Sequence, residues 1–133
     1  MDNSTSLRAL KLRVRSNIMD YFELASSPEE QRDYERQVPS AQVPDEIINQ
    51  WADCVGEADF DWYSVPEYSA DEQAAMRRFH LIWNSVANDT PDVMPHTIDA
   101  LIGLPVWQRL IDAAEEALRV FEKRGRIEEA ASM

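Results

Sequence analysis

Apolar residues recur along most of this chain at three- and four-residue intervals, the spacing that lines one face of an α-helix. Leu7, Leu10, Val14, Ile18 and Phe22 form the first such stripe and predict a helix from about Ser6 to Ala25. Ser27-Pro28-Glu29-Glu30 then predicts a fresh start. A serine can cap, proline suits the first helical position, and a glutamate three residues after the serine completes a capping box. That second helix is expected to stop near Val38, because Pro39 follows. Val43-Pro44-Asp45 opens a third helix, with Ile47, Ile48, Trp51, Cys54 and Val55 on one face and Gly56 at its end.

A loop from Glu57 to Tyr68 carries the aromatics Phe60, Trp62, Tyr63 and Tyr68. Rings of that size are expected to pack onto the helices rather than stand in water. Ser69-Ala70-Asp71-Glu72 is a second capping box and opens a fourth helix, striped by Met76, Phe79, Trp83 and Val86 and ended by Asn88-Asp89-Thr90-Pro91. A short helical turn near Thr97 to Ile102 stops at Gly103. The last long helix runs from Pro105 to Gly125 on a stripe of Trp107, Leu110 or Ile111, Ala114, Leu118 and Phe121. An apolar face on every long segment predicts an all-α fold, an irregular bundle of about five helices around one core. It is expected to form a single domain over residues 1–133, frayed at about 1–5 and 126–133.

Composition agrees with this reading. Of 133 residues, 44% are apolar, enough for a globular core, and only Gly56, Gly103 and Gly125 are glycine. The single cysteine, Cys54, excludes an internal disulfide and a zinc site built from several thiolates. The opening residues are polar and acidic, unlike a signal peptide, and no apolar run nears the ~20 residues of a membrane span. A cytoplasmic protein is therefore expected.

The catalytic and metal motifs fail one by one. Glu57, Asp59 and Asp61 alternate as in a calcium loop, yet the sixth and twelfth positions hold Trp62 and Tyr68 where glycine and a carboxylate are required. His80 has Met76 and Asn84 as helical neighbours, so no zinc helix of the His-Glu-x-x-His type exists. His96 has Asp99 within reach one turn on by spacing, a common helix-start pattern. Cys54 lies on an apolar stripe and reads as a core thiol; only spatial proximity to His80 would change that. Three separated glycines make no phosphate-cradling loop. Glu115 with Arg119, and Glu122 with Arg126, are ordinary helical pairs. No cofactor and no resident metal are expected.

Charge is the one unusual feature. The net charge is -12, from 13 basic and 25 acidic residues. Between Arg36 and Arg77 there are nine acids (Asp45, Glu46, Asp53, Glu57, Asp59, Asp61, Glu67, Asp71, Glu72) and no Lys or Arg. Residues 1–36 are nearly balanced, with six bases and seven acids, four of the bases in the first half of the first helix. A global charge of this sign repels nucleic-acid backbones and anionic membranes. It can simply keep a small protein soluble, or it can steer a basic partner.

The function expected from this is that of a non-catalytic acidic binding protein that inhibits or neutralises a basic protein partner, such as a nuclease toxin or another nucleic-acid-handling protein. Immunity proteins and phage-encoded nucleic-acid mimics are similar in that overall character, although no motif of either is present. The expected partner-binding residues are Asp53, Glu57, Asp59, Asp61, Glu67 and Asp71, with Trp62 and Tyr63 as anchors. Two other classes stay open: an accessory or scaffold subunit docked through a helical face, and a small enzyme or ligand-binding bundle using Glu72, His80 or His96. Oligomeric state is open as well. An acidic face repels its own copy, while the basic half of the first helix offers another copy's acidic segment a counter-charge.

Overall fold

Ser27 and Ser69 start helices as the sequence predicts, and the second does so with a complete reciprocal box. The Ser27 hydroxyl accepts from the Glu30 amide at 3.2 Å. At Ser69 the hydroxyl accepts from the Glu72 amide at 3.1 Å, and the Glu72 carboxylate accepts the Ser69 amide at 3.1 Å in return. The computed structural model describes residues 3–38, 42–55, 62–63, 66–89 and 97–127. Among them lie five α-helices: α1 (Asn3–Ala25), α2 (Pro28–Gln37), α3 (Val43–Val55), α4 (Ala70–Asp89) and α5 (Pro105–Glu122). One 3₁₀ turn, Ile98–Ala100, precedes α5, and no strand occurs among the described residues. Gly103 and Gly125 take φ of 97° and 71°, left-handed values that favour glycine, and so end the turn before α5 and α5 itself.

All five helices deliver apolar or aromatic side chains to one core. Helix α5 packs most extensively on α4 and next on α1, while α3 packs on α1 and reaches α4 through Trp51. Phe22 is fully buried at the centre. Its ring stacks on Trp51 at 5.5 Å and meets Phe79 and Phe121 edge-on at 5.0 and 5.6 Å. These are the offset and edge-on arrangements that aromatic quadrupoles favour. The expected stripes of α3, α4 and α5 are buried at Ile47, Trp51, Met76, Phe79, Val86, Trp107, Leu110, Ala114 and Phe121. The loop aromatics pack as expected where they are described. Tyr68 is fully buried and Tyr63 nearly so, with Trp62 packed against the core. Phe60, the Cys54 side chain and the chain end from residue 128 lie outside the described residues.

Helix α1 departs from its expected stripe. Ile18 and Phe22 are buried, but Leu7 and Leu10 are each 45% exposed. The face turned inward over the first turns is instead Lys11, Leu12 and Arg15, the last only 1% exposed. The reason is electrostatic. The chain leading into α4 presents Glu67, Glu72 and the Trp62 ring to α1, and cations satisfy these better than leucines would. Arg8 pairs with Glu67 at 2.9 Å, Arg15 with Glu72 at 2.8 Å, and the Lys11 ammonium lies 5.3 Å from the Trp62 ring centre. Two of the four bases in this half of α1, Arg8 and Arg15, therefore meet acids of their own chain, while Arg13 is exposed. Arg126, expected to pair with Glu122, reaches back to Asp20 and Glu23 of α1 at 2.7 and 2.9 Å. The pair Glu115–Arg119 forms as expected, at 2.5 Å.

Candidate functional site

The carboxylates of this chain sort into an inner set and an outer set. The inner set centres on Glu72, fully buried at the start of α4. Its two oxygens receive Arg15 from α1, at 3.3 and 2.8 Å, and Arg124 from beyond α5, at 2.7 and 3.1 Å. Burial pushes the Glu72 carboxyl up, but the hydrogen bonds from Arg124, Arg15 and the Ser69 amide outweigh it and hold it below the usual range. Arg15 also donates to the Gly125 carbonyl at 2.7 Å, and Arg124 to the Pro66 and Glu67 carbonyls at 3.0 and 2.6 Å. With every oxygen engaged by arginine, Glu72 is a structural hub, poorly placed for acid–base work.

The expected partner-binding residues fall into four groups. Asp53 and Asp71 are exposed, on the last turn of α3 and the first turn of α4. Glu67 is 7% exposed and paired with Arg8, and Tyr63 is 4% exposed and meets Tyr68 edge-on at 5.2 Å. Neither presents itself to a partner, because the inward-turned basic half of α1 draws this stretch down onto the bundle. Trp62 is half-buried, edge-on to Tyr63 at 5.0 Å. Glu57, Asp59 and Asp61 lie outside the described residues, as does His96.

What the sequence reading missed is an outer acidic set contributed by α1 and α2. Asp20, Tyr21, Leu24, Val14 and Asn17 of α1 face Gln50 and Asp53 of α3 across a groove of about 460 Å³. A shallower depression of about 270 Å³ adjoins it, sharing Asp20 and Leu24 and adding Glu23, Glu30, Asp33, Tyr34 and Gln37. Five carboxylates from three helices thus rim one concave surface with an apolar floor. Burial raises the Glu30 carboxyl, and the charges of Glu23 and Glu29 raise it further. Glu30 therefore lies close enough to Glu23 and Glu29 to feel their charge. Part of that charge is met by Arg126 on Asp20 and Glu23, and by Arg36 on Asp33. One signal was readable: within the balanced count of residues 1–36, all four bases of α1 precede its two acids.

His80 belongs to a separate cluster on the α3–α4 side. The buried Trp51 indole donates to His80 Nδ1 at 3.0 Å, and the imidazole stacks on Trp83 at 5.5 Å. Burial lowers the His80 pKa below its usual value. A histidine depressed in the folded state contributes stability that is present above the unfolded pKa of about 6.5 and is lost as pH falls through the folded pKa. Protonation would also set an N–H against the Trp51 N–H. Tryptophan fluorescence is therefore expected to titrate with a midpoint below pH ~6.5. That transition should vanish in His80→Gln; its survival there would assign it to another group.

Among the described residues, no group of three or more His, Cys, Asp or Glu side chains is placed to hold a metal ion. Nor is any helix among them long and apolar enough to cross a membrane. No family model matches this chain. No curated protein and no solved structure matches it either.

Proposed function

We propose that this chain is a non-catalytic binding protein that captures and neutralises a basic protein partner in the cytoplasm, a nuclease or another nucleic-acid-handling protein being the natural target. One observation carries the reading: Asp20, Glu23, Glu30, Asp33 and Asp53 converge from α1, α2 and α3 around a concave surface floored by Val14, Tyr21 and Leu24. A protein that holds nucleic acid must present positive charge. A carboxylate-rimmed surface complements it, steering the encounter and occluding the cationic site.

The test is capture from the native host with elution by a salt gradient, followed by charge reversal. One basic protein released at moderate salt is the expected catch. The triple change Asp20→Lys, Glu30→Lys, Asp53→Lys is expected to weaken its binding by about 100-fold or more, with helical content by circular dichroism unchanged. Unchanged affinity in the folded triple variant would remove the proposal.

The accessory-subunit reading keeps one observation in its favour, the exposure of Leu7 and Leu10 on α1. Salt separates the two. Association through an apolar helix face persists as ionic strength rises, whereas acid-driven capture weakens steeply.

A further inference from the structure

The two exposed leucines of α1 open a longer stripe on that helix, exposed again at Asn17, part-buried at Val14 and Leu24, and buried at Tyr21, whose hydroxyl donates to the Ile47 carbonyl. Leu7, Leu10, Val14, Asn17, Tyr21 and Leu24 follow one another at alternating three- and four-residue steps. That is the spacing of a seam that receives the side chains of another helix, with one polar position, Asn17, of the kind that fixes register. The seam runs about 26 Å at 1.5 Å rise per residue. Its second half is the α1 wall of the groove, and α3 supplies the opposite wall with Gln50 and Asp53. Its first half, Leu7 and Leu10, has no helix over it among the described residues and stands 45% exposed. Carboxylates stand along the groove at Asp20 and Asp53 and, beyond it, at Glu23, Glu30 and Asp33.

We infer that the valley between α1 and α3 is a helix-docking groove whose occupant is an amphipathic helix of the partner, bearing lysines or arginines along the edges of an apolar ridge. This rests on the reading that the chain captures a basic protein, and adds the place and the shape of what is captured. The apolar ridge would lie on the part-buried Val14 and Leu24 and reach the exposed Leu10, as amphipathic helices lie in apolar grooves. The flanking cations would meet Asp53 on one side and Asp20 on the other, the latter in competition with Arg126. A second copy of this chain fits worse, because its own α1 and α3 bring the same carboxylates to the contact.

The probe is a dye-labelled synthetic Leu/Lys amphipathic helix of about five turns, followed by fluorescence anisotropy. Its control is a peptide of the same composition, shuffled so that its leucines share no face. The amphipathic peptide is expected to bind at least about tenfold more tightly than the shuffled one. Asp53→Lys, which reverses charge in the groove, and Asn17→Trp, which fills it without changing charge, are each expected to weaken binding about tenfold. Asp112→Lys, an equal charge change on α5, should weaken it less than about twofold. All three positions are exposed. Equal binding of both peptides, or equal loss with Asp53→Lys and Asp112→Lys, would overturn the groove and leave the capture reading to the charge-reversed protein and its native partner. Sedimentation showing a wild-type dimer that Asn17→Trp dissociates would overturn the occupant, assigning the groove to a second copy.

Discussion

Replacing Glu72 by alanine is expected to destabilise the fold by about 3–5 kcal/mol. For a chain of this size that lowers the melting temperature by about 10 °C or more. The side chains of Glu72 and Arg15 are each only 1% exposed. Removing the carboxylate leaves a guanidinium enclosed with the Gly125 and Phe121 carbonyls and the Met19 sulfur as its remaining partners. The return half of the capping box, the Ser69 amide on the Glu72 carboxylate, is lost in the same change. Arg15→Met should cost clearly less, because Glu72 then keeps Arg124, whose side chain is 36% exposed and already partly solvated. The pair gives the test: equal losses in the two variants would show that Glu72 is not the hub. Acid adds a second reading of the same group. A carboxyl depressed in the folded state contributes stability above its unfolded pKa of about 4.3, and loses it as pH falls through the folded value. Wild type should therefore weaken on acidification below pH ~4 more steeply than Glu72→Gln.

Helix positions were legible wherever a local rule acts alone. Ser27, Ser69, Pro28, Pro105, Gly103 and Gly125 each mark a boundary through backbone chemistry that needs no distant partner, and the structure places boundaries there. The inward face of α1 was not legible in its first half. Periodicity assigns leucines to the core, but which face turns in depends on what α4 and the chain before it bring up against it, here Glu72 and Glu67. The expected acidic face suffered from the same limit. A run of nine acids without a base looks like one surface, yet Glu67 and Glu72 are answered by Arg8, Arg15 and Arg124, which are 52 to 59 residues away along the chain. Conversely, residues 1–36 looked neutral because opposite charges were counted together. Folding separates them: Arg8, Lys11 and Arg15 at one end of α1 turn toward the bundle while Arg13 stays exposed, and the acids at the other end line the groove and the depression beside it. Chain charge counts both sets equally, whereas only the outer set lies at the surface.

Gln31 carries the other large expected effect, and nothing in the pattern of α2 announces it. It is a fully buried polar residue on a helix with little apolar surface. Its amide nitrogen donates to the Ala25 and Leu24 carbonyls at 3.0 and 3.2 Å, satisfying groups that the end of α1 leaves without helical partners. Its oxygen accepts from the fully buried Trp107 indole at 3.0 Å, so a single side chain ties α1, α2 and α5 together. Gln31→Leu keeps the volume but leaves the Trp107 N–H and the Ala25 carbonyl unpaired, while Leu24 retains the Ser27 amide at 3.3 Å. The expected loss is about 3 kcal/mol, on the scale of one to two unmet buried groups. Trp107→Phe should also destabilise, through the smaller ring and the orphaned Gln31 oxygen. The double variant should lose less than the sum of the singles by about 1 kcal/mol, since each single change already removes the shared bond. Urea unfolding of the four proteins measures this coupling; strict additivity would mean that the bond contributes nothing to stability. The junction matters beyond stability, because it sets α2 against α1 and with it the approach of Glu30 and Asp33 to Asp20 and Glu23. A Gln31→Leu protein that still folds should therefore bind a basic partner more weakly, although no charge has been changed.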